Sequence, residues 1–363
     1  MDDLLNCDRQ KSAGGLGVAF VRRTQPQPSA VFDSYWQFAA ERQRIYRKRV
    51  AGHPPPWTGD RILAEFRFTN PYRAADRVSQ YLIRNVIYGA RFEWEDELLR
   101  TLLFKLFNKI ETWQLLESSF GEITTKSFSV GHFARLLQTV RDGGASIYSA
   151  AYIMPSGPAG VRRPSKHQMH LELLERELKD GLAIDLANAK SMEAGYQRLL
   201  QIPGFGRFLA YQFITDLNYG PTLSFSEMEF VIPGPGARDG IRKCFISLGG
   251  YSESEIIAWV AERQASEFAR LGLDFQDLWG RPLQLIDCQN LFCEVDKYAR
   301  VAHPGFRGHS GRTRIKQRFA QSRKAIEQPF FPPKWGIEPA PTFTPARPRD
   351  PVAQGAPANL FEV

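Results

Sequence analysis

The chain has 363 residues, of which 43% are hydrophobic, 12% aromatic and 24% charged. This composition is typical of a globular protein with an ample core and excludes a disordered or collagen-like chain. No apolar run reaches the roughly 18 to 20 residues of a membrane span, and the first residues lack the basic and apolar regions of a signal peptide. We therefore expect no membrane partner and a location in the cytoplasm or nucleoid, or in the nucleus of a eukaryote.

The net charge of +8 is unevenly distributed. Residues 297–324, the basic segment, contain nine lysines and arginines and no acidic residue. Clustered cations of this kind are typical of a surface that neutralises DNA phosphates, and the alternative is a solvated basic face. The candidate phosphate ligands in this segment are Arg312, Arg314 and Lys316. The four cysteines and six histidines do not follow a zinc or disulfide spacing, so no metal is expected.

In chain order, residues 1–29 lack periodicity and residues 337–363 are proline-rich, so both are expected to be disordered tails. Between them, residues 30–336 are expected to form one helical domain. Apolar residues at helical spacing predict helices near residues 32–39, 94–107, 133–140, 171–178, 196–200 and 208–217. Ser252 and Glu255 form a capping box that opens a further helix. Strand signals are weak and limited to short pieces such as residues 225–232, so the predicted class is mainly α.

The pattern of residues 199–217 predicts two helices joined by a Pro-Gly-x-Gly turn, as in a helix-hairpin-helix. Gly204 and Gly206 would allow a tight turn with positive φ. The turn would then present backbone amides up to Arg207 at the start of the second helix, where the dipole favours a phosphate. We therefore predict that this turn binds a DNA backbone. The alternative is a tight helix–helix turn without a ligand.

A second glycine turn follows at residues 224–243. It places Glu227 and Glu229 before a phosphate-sized loop that contains Gly234 and Gly236. Two cations that follow, Arg238 and Lys243, are candidate anion ligands. If the segment is extended, both glutamates share one side and point into one pocket, or else both lie on a solvated strand face. Asp216 is a second carboxylate candidate, expected at the surface or as a helix cap.

The hairpin followed by an acidic residue resembles the helix-hairpin-helix DNA glycosylases, whose catalytic aspartate lies near the position of Glu227. The lysine of bifunctional members is Phe208 here, and the iron–sulfur cysteines of some members are absent. Over residues 30–336 the chain resembles a narrower family that modifies DNA bases. Its members include the helical domain of 5-hydroxymethyluracil DNA kinases and the α-glutamyl/putrescinyl-thymine pyrophosphorylases, or amino acid:DNA transferases. The motifs that carry this resemblance are residues 56–58, 68–73, 106–109, 151–154 and 289–298.

The resemblance implies an enzyme that acts on thymine-derived bases in double-stranded DNA. The sequence has no Gly-x-x-x-x-Gly-Lys-Ser/Thr loop for ATP, so a separate P-loop DNA kinase is the expected partner. We predict a transferase that replaces a pyrophosphorylated 5-hydroxymethyl group on a flipped base with an amine or amino acid, without a tightly bound cofactor. Glu227 or Glu229 would be the base, and Arg238 and Lys243 would hold pyrophosphate. The alternatives are a kinase component, a monofunctional glycosylase and a non-enzymatic reader of modified DNA.

Further candidates for the pocket are aromatic and polar residues. Trp57 or Tyr211 would stack on the flipped ring, although each could instead pack in the core. A dense polar run near residue 290 would line the site or form an ion-pair network between helices. Its members are Gln289, Asn290, Glu294, Asp296, Lys297 and Tyr298.

Overall fold

Helices dominate the part of the chain that the structure, a computed structural model, describes: residues 23–149, 165–321 and 326–339. Strands β1 (Gln27–Pro28) and β2 (Phe245–Ser247) form a short antiparallel pair. The α-helices of the first half are α1 (Ala30–Val50), α2 (Arg61–Glu65), α3 (Arg77–Tyr81), α4 (Trp94–Phe107), α5 (Ile110–Phe120) and α6 (Val130–Asp142). Those of the second half are α7 (Lys166–Lys179), α8 (Leu182–Ala187), α9 (Met192–Leu200), α10 (Arg207–Leu217), α11 (Pro235–Cys244), α12 (Glu253–Arg270) and α13 (Leu285–Ala302).

The mainly α class is confirmed, and so is every helix expected from the apolar periodicity. The capping box at Ser252 is present, because its hydroxyl accepts from the amide of Glu255 and the Glu255 carboxylate accepts from the amide of Ser252. The strand expected at residues 225–232 is wrong, since this segment is a turn followed by irregular chain. Phe225 and Phe230 pack against the core from this irregular segment, so the apolar residues here do not indicate a strand.

One hydrophobic cluster extends from Val31 in α1 to Phe331 near the C-terminus. Helices α11 and α13 lie against each other at its centre, and α1 packs on both. The close approach requires Gly240, because a Cβ there would lie 2.0 Å from the carbonyl oxygen of Phe292. Helices α4, α7, α9 and α10 pack together in the other half of the cluster. This arrangement leaves the C-terminal end of α1 next to α2 and the chain that follows it.

The folded part of the chain begins before residue 30. The amide of Thr24 donates to the carbonyl oxygen of Gly249 at 2.9 Å, and β1 pairs with β2. Ser29 caps α1 by accepting from the amide of Val31 at 3.1 Å. Residues 23–29 therefore differ from the free tail expected for residues 1–29. Three other parts of the chain lie outside the described residues: residues 1–22, residues 340–363 and the motif at residues 151–154.

None of the helices in the described ranges combines the length and apolar composition that a membrane crossing requires.

Candidate functional site

A cavity of about 330 Å³ opens beside the C-terminal half of α1. Four parts of the chain form its walls: α1, the turn at residues 55–58, the segment from α2 to residue 68, and residues 319–321. Its volume lies at the lower end of the roughly 300 to 1,000 Å³ of small-molecule pockets. The side chains that define its chemistry are Arg42, Arg49, Trp57, Phe66, Phe68 and Phe319. Such a lining suits one planar ring and a polar substituent.

Trp57 lies at this cavity and not in the core, as its half-buried side chain shows. Its indole nitrogen donates to the carbonyl oxygen of His53 at 2.7 Å, which fixes the ring. The guanidinium carbon of Arg49 lies 5.1 Å from the ring centroid. Trp57 is thus held at the cavity with Arg49 near its ring, and its role as the stacking residue stays a prediction.

Residues 317–319 of the basic segment form one side of this site. They pair with the chain after α2, because the amide of Arg67 donates to the carbonyl of Gln317 at 3.0 Å and the amide of Phe319 to that of Glu65 at 2.9 Å. This pairing brings Phe319 into the cavity lining, about 250 residues away from Phe66 along the chain. The cavity therefore lies where the basic segment meets the α2 region.

The part of the basic segment between α13 and residue 317 is anchored to the core, while its cations are exposed. The amide of Ser310 donates to Asp239 at 3.1 Å, and Arg300 donates to the carbonyl of Arg314 at 3.0 Å. Arg312, Arg314 and Lys316 are themselves exposed. A row of exposed cations that leads into an aromatic cavity is the expected form of a DNA contact next to a base pocket. Arg323 and Lys324 lie outside the described residues.

Arg42 enters the cavity wall from α1 and is 9% exposed. Its Nη2 lies 3.4 Å from the carbonyl oxygen of Phe68, and its Nη1 has no hydrogen-bond partner among the described residues. Burial lowers the pKa of Arg42 to about 10, which leaves the guanidinium charged at neutral pH. Neither Arg42 nor Arg49 is among the predicted site residues, although their spacing of seven residues on an amphipathic helix places both on one face.

Glu227 and Glu229 do not share a pocket, contrary to the extended arrangement considered above. The chain turns at Glu227, which buries Glu227 and leaves Glu229 exposed. Glu227 accepts from Arg281 at 2.7 Å, and burial raises its pKa despite that partner. The guanidinium of Arg281 lies 3.8 Å from the ring centroid of Trp335. Glu227 is thus an ion-pair partner of the C-terminal part of the fold and does not line the cavity.

Asp216 is fully buried, so the expectation of a surface or capping residue is wrong. Its two carboxylate oxygens accept from Arg73 at 2.6 and 2.9 Å, and Lys105 lies 3.0 Å away. Arg73 also donates to the hydroxyl of Tyr219 at 2.9 Å. This cluster ties α10 to α4 and to the short 3₁₀ turn at Arg73–Ala75.

The turn between α9 and α10 fits the hairpin prediction only in part. Gly204 has the expected positive φ, at +88°, but Gly206 has φ −79° and caps α10 in an extended conformation. The amide of Phe205 already donates to the carbonyl of Ile202 at 3.0 Å, so it does not face a ligand. Arg207 is exposed at the start of α10. A backbone phosphate could therefore contact only the first amides of α10 and Arg207.

The second glycine turn is packed rather than open. Gly234 caps α11 beneath Phe208, because a Cβ there would lie 2.7 Å from that ring, and Gly236 lies against Cys293. The cation expected to hold pyrophosphate, Lys243, is buried and pairs with Asp296 at 2.8 Å. The prediction that Lys243 holds pyrophosphate is therefore wrong. Arg238 is exposed but pairs with Glu253 at 2.6 Å.

The polar residues of α13 form the ion-pair network that the sequence left open. Asp296 pairs with Lys243 and Arg300, and Glu294 pairs with Lys297 at 2.6 Å. Gln289 accepts from the side-chain amide of Gln212 at 3.4 Å and donates to the sulfur of Cys293 at 3.2 Å. The hydroxyl of Tyr298 donates to Asp60 at 2.7 Å. Asn290 is half-buried on the same helix. Tyr211 is buried with its hydroxyl 3.4 Å from the carbonyl of Phe230, so it packs in the core.

Comparison with known proteins gives one family. Residues 29–308 match the family model described as the helical domain of 5-hmdU DNA kinase. The 5-hmdU DNA kinase of Bacillus phage SP10 is 28% identical in a 296-residue alignment that covers 77% of this chain and 46% of the relative. The chain thus spans about half the length of the curated relative it matches. No solved structure shows significant similarity, so the likeness to helix-hairpin-helix glycosylases stays a prediction.

Proposed function

The chain belongs to the family of 5-hmdU DNA kinase helical domains, and on that premise we propose that it binds DNA containing 5-hydroxymethyluracil and takes the modified base, flipped out of the duplex, into the cavity at Trp57. One observation carries the proposal: the exposed cations Arg312, Arg314 and Lys316 precede Phe319 by three to seven residues along the chain, and Phe319 lines a cavity with other aromatic rings and two arginines. Phosphate contacts position a protein on DNA, and an enclosed aromatic pocket reads a base that has left the stack.

The chemistry at the base needs a second component in this proposal. The sequence has no P-loop, and more than half of the phage relative lies outside the match. We assign ATP binding to a P-loop kinase domain, in another protein or in a further part of the polypeptide. The helical domain would present the 5-hydroxymethyl oxygen to it. The base predicted from the sequence, Glu227 or Glu229, is not part of this proposal, because neither residue lines the cavity.

Transfer of an amine or amino acid to a pyrophosphorylated base is the second candidate. The observation that favours it is the cation pair Arg42 and Arg49, which suits an anionic substituent better than a neutral hydroxyl. The described lining contains no carboxylate to take a proton from the amine. A transferase would therefore need a base supplied from outside the lining.

Binding measurements test the proposal with duplexes that differ only in one thymine or 5-hydroxymethyluracil. The wild-type chain should prefer the modified duplex, and Trp57→Ala should lose about 1 to 3 kcal/mol of binding to it, since base–aromatic stacking contributes that much. Trp259→Ala is the matched control, because Trp259 is a half-buried tryptophan outside this cavity. Equal affinity of the wild type for both duplexes, with no effect of Trp57→Ala, would overturn the proposal.

Mass analysis of nucleosides distinguishes the reactions. DNA containing 5-hydroxymethyluracil is incubated with the chain alone, with a P-loop kinase and ATP, and with both plus an amine. A kinase module gives a phosphorylated nucleoside only when the P-loop component is present. A transferase gives a further nucleoside that contains the amine, and a glycosylase leaves alkali-sensitive sites in the strand. A reader leaves every nucleoside unchanged.

A further inference from the structure

The loop that follows α13 carries an exposed aromatic side chain inside the basic segment. Phe306 is 37% exposed, and the neighbouring Arg307 is exposed as well. A single exposed apolar residue is ordinary on a protein surface. Here, however, the charge around the ring has one sign, because residues 297–324 contain no acidic residue. An aromatic ring among cations suits a polyanion that also offers flat apolar faces, as the bases of DNA do.

The loop is fixed at both ends, so the position of Phe306 is defined. At its start, Nε2 of His303 lies 2.8 Å from the hydroxyl of Ser34 on α1. The amide of Phe306 donates to the carbonyl of His303 at 3.0 Å, and the two rings meet edge to face with centroids 6.0 Å apart. At its end, Gly308 lies against Asp239 of α11, where a Cβ would lie 2.6 Å from the carboxylate carbon. A ring held in this way loses little conformational freedom when it binds.

Helix α1 connects this loop to the cavity that is proposed to receive the base. Ser34, which holds the loop, and Arg42, which lines the cavity, are eight residues apart on α1, a rise of about 12 Å. Between them, the ring centroid of Phe38 lies 5.3 Å from that of Phe68, another residue of the lining. Successive nucleotides of a DNA strand are ~3.4 Å apart. The anchor of the loop and the cavity wall are therefore separated, along one helix, by the length of a few base-pair steps.

We propose that Phe306 inserts between stacked base pairs next to the flipped base and so stabilises the opened duplex. This inference rests on the proposed function, since it requires a base that leaves the stack for the cavity. A base that flips out deprives its neighbours of a stacking partner, and an inserted apolar side chain supplies a new surface there. The partner of Phe306 is thus duplex DNA, and its ring contacts base faces without taking part in the chemistry at the 5-methylene.

The experiment uses 2-aminopurine, whose fluorescence is quenched when it stacks, placed next to 5-hydroxymethyluracil in a duplex. A second duplex carries this reporter far from the modified base. The full chain is added at a saturating concentration, so that differences in affinity do not alter the signal, and fluorescence anisotropy measures the affinity separately. The variants are Phe306→Ala and Phe306→Leu. Ile184→Ala is the matched control, because Ile184 is an exposed apolar residue on α8, outside the basic segment.

The wild type and Ile184→Ala should raise the fluorescence of the adjacent reporter and leave that of the distant reporter unchanged. Phe306→Ala should lose most of this rise and bind about 10- to 100-fold more weakly, as expected for lost base–aromatic stacking. Phe306→Leu should retain much of both, since leucine also inserts between base steps. Thermal melting should be the same for all variants, because substitutions of exposed side chains change stability little.

An undiminished rise in fluorescence with Phe306→Ala would overturn the inference. If the affinity of that variant were nevertheless weaker, Phe306 would contact the outside of the duplex; if it were unchanged, the exposed ring would belong to a contact with another protein. A wild-type chain that raises the fluorescence of neither reporter would also overturn the inference.

Failure of the proposed function has a separate signature. In that case Trp57→Ala would bind the thymine and 5-hydroxymethyluracil duplexes as the wild type does. If instead Trp57→Ala weakens binding to the modified duplex while Phe306→Ala changes neither fluorescence nor affinity, the cavity receives the base and only the insertion of Phe306 is wrong.

Discussion

Replacing Asp216 by alanine should destabilise the protein severely. Asp216 is fully buried, and its carboxylate is the partner of both Arg73 and Lys105. Both cations are also buried, with 3% and 4% of their side chains exposed. Without the carboxylate, the like charges of Arg73 and Lys105 would face each other in the interior and lose the anion that pairs with both. Removing one partner of a buried ion pair typically costs about 3 to 5 kcal/mol.

That loss is a large part of the roughly 5 to 15 kcal/mol by which a domain is stable. Burial would raise the pKa of Asp216, but Arg73 and Lys105 outweigh this effect and hold it below its ordinary value. The carboxylate therefore contributes its full stabilisation above the unfolded-state pKa of about 3.9. The contribution is lost as the pH falls through the lower folded-state pKa. The difference between wild type and variant should accordingly be greatest near neutral pH and shrink below pH ~4.

Urea unfolding at pH 7 and at lower pH values measures both effects. Asp180→Ala is the control, because Asp180 is an exposed aspartate at the end of α7. It should change the free energy of unfolding by no more than about 0.5 kcal/mol. A loss below about 1 kcal/mol for Asp216→Ala at pH 7 would refute the buried ion cluster. A difference that does not depend on pH would refute the assigned charge state of Asp216.

Three further predictions concern the turn, the basic segment and the buried glutamate. Gly204→Val should lower stability by about 1 to 2 kcal/mol in thermal melting because of its positive φ, whereas Gly206→Ala should be nearly neutral, since its φ is negative and the space around it is open. Equal effects would contradict the turn geometry. Changing Arg312, Arg314 and Lys316 to Gln should make the plot of log affinity against log salt shallower by about 0.9 for each DNA phosphate that the protein no longer neutralises. An unchanged slope would place the DNA elsewhere. Glu227→Gln should cost about 1 to 3 kcal/mol of stability, because Arg281 loses its charged partner, and should leave base preference intact. If turnover vanished while stability held, Glu227 would be catalytic after all.

The helices could be predicted from the sequence because their signals are local. The apolar period of α4 lies within one segment, and so do Ser252 and Glu255 at the start of α12. Helix α13 was not among the helices predicted from apolar spacing, because its dense run of polar residues is unusual for a core helix. Only the fold brings Lys243 within 2.8 Å of Asp296, and that contact makes burial of both charges tolerable.

The cavity could not be predicted as a unit, since its walls join residues from opposite ends of the chain. Trp57, for which the sequence left open a stacking residue or a core residue, lines the cavity, and its role as a stacking residue stays a prediction. Phe319 enters the lining only through backbone pairing with the chain after α2. Glu227 was chosen by its position after the hairpin, but the turn at that residue directs it to Arg281. The sequence alone does not show this turn, so it does not show that the Glu227 side chain contacts Arg281.

Photo-crosslinking with 5-iodouracil in place of the modified base tests the central claim most directly, because the halogenated base reacts with aromatic rings that it contacts. The duplex is irradiated with the wild-type chain, and the crosslinked peptide is identified by mass spectrometry. The account predicts a crosslink to one of the aromatic residues of the cavity, which are Trp57, Phe66, Phe68 and Phe319. It also predicts that Trp57→Ala reduces or moves the crosslink. A crosslink confined to the turn between α9 and α10, unchanged by Trp57→Ala, would contradict the claim that the cavity receives the base.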